Sequence, residues 1–299
     1  MSPADGGLPR PRTAGAVRPS AAGTPSPRPP SAASGRPGVR TRSPGRGAAG
    51  RPVPAGEPSW SADLYAAALR AGHGPLYLRR ADGSLLPLEV ERWCAEADAV
   101  DLEVVRWCEG AVLDVGCGPG RLVAALIAEG RRALGIDVSD AAVARTVGLG
   151  GPALRRSVFD PVPGEGRWGT ALLLDGNLGI GGDPRALLDR LARLLAPGGL
   201  LIAETVPGDI DERELVRVDD GRGGGGAPFP WARLGTPALL RLARSAGWRL
   251  DGQWAAGGRR FVALRSRAAS RTAEQPNSTA VISSQRARNP SPESVVDAR

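Results

Sequence analysis

The chain has no lysine, a single histidine, a single methionine and three cysteines among its 299 residues. Cys94, Cys108 and Cys117 are too few and too scattered for a disulfide framework or a zinc knuckle, which points to a reducing compartment. No continuous apolar run approaches the roughly 20 residues that a membrane-spanning helix needs. The start also lacks the apolar core of a secretion signal, so the expected location is the cytoplasm, with no membrane partner.

Every basic residue is arginine, and the formal net charge is +8. Its distribution argues against a nucleic-acid groove in the folded part. Residues 1–58 hold nine arginines against Asp5 and Glu57, and residues 266–299 hold five against Glu274, Glu293 and Asp297. Those tails carry +7 and +2, which leaves −1 for the rest of the +8. A nearly neutral domain has no basic path for a phosphate backbone. No aromatic residue interleaves with the arginines before Trp60 to stack on bases, and a composition bias toward Arg, Ala, Gly and Pro accounts for them.

Both tails are poor in bulky apolar residues and rich in Pro, Gly, Ser and Arg, so they are expected to stay disordered. Between them, 59–109 reads as a helix and hairpin lid and 110–265 as the main domain. Ser61 to Arg70 has helical spacing, and Ala81-Asp82-Gly83 between Pro75–Arg80 and Ser84–Leu88 signals a hairpin. A helix follows from about Ala97 to Cys108. From Ala111 short apolar runs alternate with amphipathic helices, the pattern of parallel βαβ units. Strands are expected at Val112–Val115, Ala133–Asp137, Leu154–Phe159, Thr170–Asp175 and Leu200–Glu204, with a closing antiparallel hairpin at 248–264. The stretch 206–234 shows no clear periodicity and reads as a mobile surface loop.

In such a sheet the ligand sits at the carboxyl ends of the strands. The first of these carries Asp114-Val115-Gly116-Cys117-Gly118-Pro119-Gly120, whose glycines permit a sharp turn before a helix N-terminus. A nicotinamide or flavin fingerprint would place its third glycine at 121, where Arg121 stands. Val112 to Arg121 resembles motif I of the class I S-adenosylmethionine-dependent methyltransferases, and the resemblance runs from about Gly110 to Arg265. It implies an α/β, Rossmann-like doubly wound sheet of seven strands with the last antiparallel, and S-adenosylmethionine as cofactor.

The resemblance also implies site residues. Gly116, Cys117, Gly118 and Gly120 would bracket the methionine part while Asp114 orients the turn; at Cys117 small size matters more than the thiol. Asp137, beside Val138, would accept the ribose hydroxyls. Phe159 would lie beside the adenine, and Asp160 would accept its amino group or merely initiate an Asp-Pro turn. Asp175 and Asn177 end the fourth strand, nearest the reactive methyl, where Asn177 would hold the acceptor or bond the loop backbone. Neither the Asn/Asp-Pro-Pro-aromatic motif of nucleobase amine methylation nor a Pro-Cys nucleophile is there. His73 is a candidate general base with a structural alternative. Tyr65 and Trp231 are candidate acceptor-pocket walls, or ordinary packing aromatics. The expected function is methylation of a small-molecule acceptor by a monomeric or weakly associating enzyme, nucleic acid being an improbable partner. A macromolecular acceptor tethered by the basic tail, or a non-catalytic cofactor-binding protein, is the alternative.

Overall fold

The computed structural model describes residues 62–223 and 225–266. The expected tail at 1–58, and that at 266–299 apart from Ser266, lie outside the described residues.

The chain opens with α1 (Ala62–Ala71), β1 (Tyr77–Arg79), β2 (Leu85–Pro87), α2 (Val90–Cys94) and α3 (Ala99–Trp107). Then come β3 (Val112–Val115), α4 (Arg121–Ala128), β4 (Ala133–Asp137), α5 (Asp140–Gly148), β5 (Ala153–Arg155), β6 (Trp168–Leu173), α6 (Pro184–Leu194) and β7 (Leu195–Thr205). The remainder is β8 (Asp211–Asp219), β9 (Phe229–Leu234), α7 (Thr236–Ser245), β10 (Arg249–Ala256) and β11 (Arg259–Arg265). Seven strands form one sheet in the order β10-β11-β7-β6-β3-β4-β5. Strands β3 to β7 pair in parallel, while β11 runs antiparallel to both β7 and β10. This is the Rossmann-like α/β fold that the alternation predicts.

Local chemistry explains the elements. All four residues of β3 are buried, as befits a central parallel strand covered on both faces. Helix α6 starts where the Asp183 side chain accepts from the Arg185 and Ala186 N–H groups and Pro184 occupies the first turn. Its Leu187, Leu188, Leu191 and Leu194 are fully buried against one sheet face. Val104, Val105, Leu122 and Leu126 of α3 and α4 cover the other.

The expected loop at 206–234 is a correction. Most of it forms strands β8 and β9, and β8 also pairs with β1, giving a second, four-stranded antiparallel sheet in the order β2-β1-β8-β9. Charge hid the pattern. In Asp211-Glu-Arg-Glu-Leu-Val-Arg-Val-Asp219 only Val216 and Val218 are buried apolar residues. The charged side chains form cross-strand pairs instead, Arg80 Nε to Glu214 at 2.6 Å, Arg79 Nε to Asp219 at 2.6 Å and Arg233 to Glu212 at 2.8 Å. The sequence also hid α2, whose Val90 is wholly buried. Arg145 of α5 holds this layer in place, its guanidinium donating to the Leu69 carbonyl at 3.0 Å and the Cys94 carbonyl at 3.2 Å. Helix α7 begins without a side-chain cap, and the hydroxyl of its first residue, Thr236, instead bonds Thr205 Oγ1 at 2.7 Å.

Candidate active site

Strand β3 ends in a turn where Gly116, Gly118 and Gly120 have φ of 72°, 53° and 91°, a region costly for residues with a Cβ. Space is equally short. A Cβ at Gly116 would lie 2.7 Å from Asn177 Nδ2, and one at Gly120 2.5 Å from Thr146 Oγ1. The Asn177 amide donates to the Val115 and Gly116 carbonyls, both at 2.9 Å, so this side chain braces the turn. Asp137, 6% exposed at the end of β4, accepts from Gly118 N–H and Ser139 N–H, each at 2.9 Å. Burial raises its carboxyl above the usual range despite those bonds.

Behind the turn lies a buried ionic network. Arg121, the residue that broke the dinucleotide fingerprint, donates to Asp101 at 2.8 and 3.0 Å and to Asp175 at 2.7 Å. Arg259 reaches Asp101 at 2.7 Å and Glu204 at 2.8 and 2.9 Å, while Arg92 of α2 meets Asp175 at 2.8 Å. Three arginines and three carboxylates thus bind α2, α3, α4 and the ends of β6, β7 and β11 together. The arginines hold the Asp101 carboxyl down at about 2 even though burial opposes this. Asp175 sits with φ 56°, its N–H bonded to Glu204 at 2.9 Å. Asp114, 2% exposed, is pushed up to about 7 by burial. The spacing of single residues along the chain gives no sign of this network, because its members come from six separate segments.

A cavity of about 320 Å³ opens at the carboxyl edge of the parallel strands. Its lining brings together Gly116, Cys117, Gly118, Asp137, Val138, Phe159, Asp175 and Asn177 with the expected wall residues Tyr65 and Trp231. Tyr65 is buried, packs edge-on to Trp93 at 6.4 Å between ring centroids, and its phenol is pushed well above its ordinary range by burial. Trp231 lies edge-on to Phe229 at 6.0 Å and against Gly179. Leu78, Leu88, Trp93, Val218 and Phe229 complete this side; Trp93, Val218 and Phe229 went unseen in the sequence because α2, β8 and β9 did, and Leu78 and Leu88, though in the expected hairpin, because nothing local shows which of its faces meets the cavity.

Four expected residues do not line the cavity. Asp114 is buried within β3, and Gly120 of the turn packs against Thr146, away from the cavity lining. Asp160 closes a turn through its N–H to Ser157 O at 3.1 Å, and its carbonyl accepts from Arg190 at 2.7 Å, which matches its alternative as a turn residue. His73 is exposed on the loop before β1, with Nδ1 3.0 Å from the Gly74 carbonyl, so the structure separates the general-base candidate from the cavity.

A family model described as a methyltransferase domain matches residues 102–250. Among solved structures, a methyltransferase from Bacteroides fragilis in complex with S-adenosyl-L-homocysteine is 19% identical, with 69% of this chain and 95% of that one covered and a TM-score of 0.59. A methyltransferase from Methanosarcina mazei is 15% identical over 58% of this chain and 100% of that one, with a TM-score of 0.45. The 1,6-didemethyltoxoflavin-N1-methyltransferase of Burkholderia thailandensis is 20% identical over 56% and 76%, at 0.44. No curated protein matches. The chain belongs to the class I S-adenosylmethionine-dependent methyltransferases.

Proposed function

We propose that this methyltransferase acts on a small-molecule acceptor held between the motif I turn and the four-stranded sheet. One observation carries the reading: the cavity at the strand ends is walled opposite the motif I turn by the aromatic side chains Trp93, Phe229 and Trp231.

The donor half is assigned to Gly116, Cys117 and Gly118 around the methionine part, Asp137 and Val138 at the ribose, and Phe159 at the adenine. Asp137 is suited to its role because a carboxylate offers about four lone-pair sites and the two backbone N–H groups occupy two. S-Adenosylmethionine supplies an electrophilic methyl: an acceptor lone pair bonds to its carbon, the carbon–sulfur pair stays on sulfur, and any proton on the acceptor atom passes to solvent.

Such a displacement asks the protein chiefly for alignment and exclusion of water. The aromatic wall and α1 provide both. Tyr65 holds its proton at neutral pH, so it serves as a hydrogen-bond donor and wall rather than a base. Asn177 positions the turn, and Asp175 anchors it through the arginines. His73 receives no role. No helix among the described residues is long and apolar enough to cross a membrane, and the three cysteines are free.

The test is thermal shift. Saturating S-adenosylmethionine should raise Tm by mass action, and Asp137→Ala should remove most of the rise. Stabilisation by NADH instead would overturn the donor assignment. Removing residues 1–58 should leave methylation of the true acceptor unchanged; loss of turnover would favour a tethered macromolecule.

A further inference from the structure

The cavity is chemically two-sided. Toward the parallel sheet it carries Asp137, Asp175, Arg121 and Arg156; toward the antiparallel sheet it carries Leu78, Leu88, Trp93, Val218, Phe229 and Trp231. The charges of the first side are already engaged or lie at the rim. Arg121 is bound to two carboxylates, Asp175 to arginines, and Asp137 to two backbone N–H groups. Arg156 is exposed and directly follows β5, on the side assigned to the adenine. The second side presents no ionised side chain to the cavity.

An ion held against this side would lose hydration and, among the described residues, meet no opposite charge there, the one buried donor without a partner on that wall being the neutral Trp93 indole N–H, which suits an uncharged oxygen or nitrogen as well. Flat aromatic walls, in contrast, gain most from a flat apolar surface, through burial and through offset or edge-on ring contacts. We infer that the acceptor is a neutral, planar, largely apolar molecule, an aromatic ring bearing a nucleophilic oxygen or nitrogen, without carboxylate, phosphate or fixed positive charge. This rests on the proposed small-molecule reading, whose acceptor half it specifies. Position 88 decides the charge preference: Leu88 is half-buried, so an arginine there could keep its stem on the apolar wall and offer its head to an anion.

The experiment uses the full chain saturated with S-adenosylhomocysteine, titrated calorimetrically with three probes that share one ring system: 2-naphthol, 2-naphthoate and 2-naphthylmethylammonium. 2-Naphthol should bind at least about tenfold more tightly than either ion, a difference of about 1.4 kcal/mol. Leu88→Arg should reverse the order of naphthol and naphthoate, and Trp231→Leu should weaken naphthol about tenfold, with S-adenosylhomocysteine affinity retained in both. The inference is overturned if an ionic probe binds as well as naphthol, if both variants leave the ranking and affinities unchanged, or if no probe binds to protein that holds S-adenosylhomocysteine. Failure of S-adenosylhomocysteine itself to bind strikes instead at the donor site, and is seen separately in the first titration.

Discussion

The two sheets that enclose the cavity are built on opposite principles. The seven-stranded sheet grows largely from neighbouring segments, β3 to β4, β4 to β5 and β6 to β7 each returning through a helix to pair directly, and its β3 is buried along its whole length. The four-stranded sheet joins β1 to β8, with Leu78 opposite Val218, and keeps one face charged. The first fixes a turn in which Gly116 and Gly120 have no room for a Cβ. On the proposed function, the second supplies the acceptor wall, whose side chains stand on a backbone separate from the donor turn.

The sharpest way to break this contrast is in the ionic network behind the donor turn. Arg121→Met would leave Asp101 and Asp175 buried beside fewer cations, and should cost about 3–5 kcal/mol in urea unfolding. A loss below 1 kcal/mol would mean that the network is not holding the parallel sheet together. Next comes Gly116→Ala, which meets both a left-handed φ and the Asn177 amide. The conformation alone costs roughly 1–2 kcal/mol, and S-adenosylhomocysteine binding should fall with it; wild-type affinity in this variant would show the turn to be more pliant than drawn.

A third prediction concerns pH. Asp114 titrates at about 7 when folded, against about 3.9 in an unfolded chain. The folded state therefore holds this proton more tightly. Its contribution to stability is complete below about pH 4 and is lost as the pH rises to 7, which amounts to a few kcal/mol by linkage. Asp114→Asn should flatten that part of the stability profile. Asp101, held at about 2, acts with the opposite sign: its contribution is present above about pH 4 and fades toward pH 2. The smallest effect is expected in the second sheet, where Arg233→Ala breaks a partly exposed pair with Glu212 and should barely move Tm. A large drop there would make the acceptor wall as rigid as the donor turn and erase the distinction between them.

The sequence by itself determined the parallel half. Its glycine turn, the acid ending β4 and the leucine spacing of α6 each express a local rule, in which backbone conformation or helical period restricts residue type within a few positions. Only the tertiary structure decided the rest. Strand β8 alternates charge with apolar residues in half its length alone, so its strandedness depends on partners in β1 and β9. Arg121 reads in isolation as a departure from a nucleotide fingerprint and becomes intelligible beside Asp101 and Asp175. Asn177 lines the cavity, but that its amide also braces two carbonyls of the donor turn became visible only in the fold. His73 could have been a base until the fold left it in solvent. Hydrogen bonds and ion pairs act over about 3 Å whatever the separation in sequence, and that distance is set when the chain closes its two sheets over one cavity.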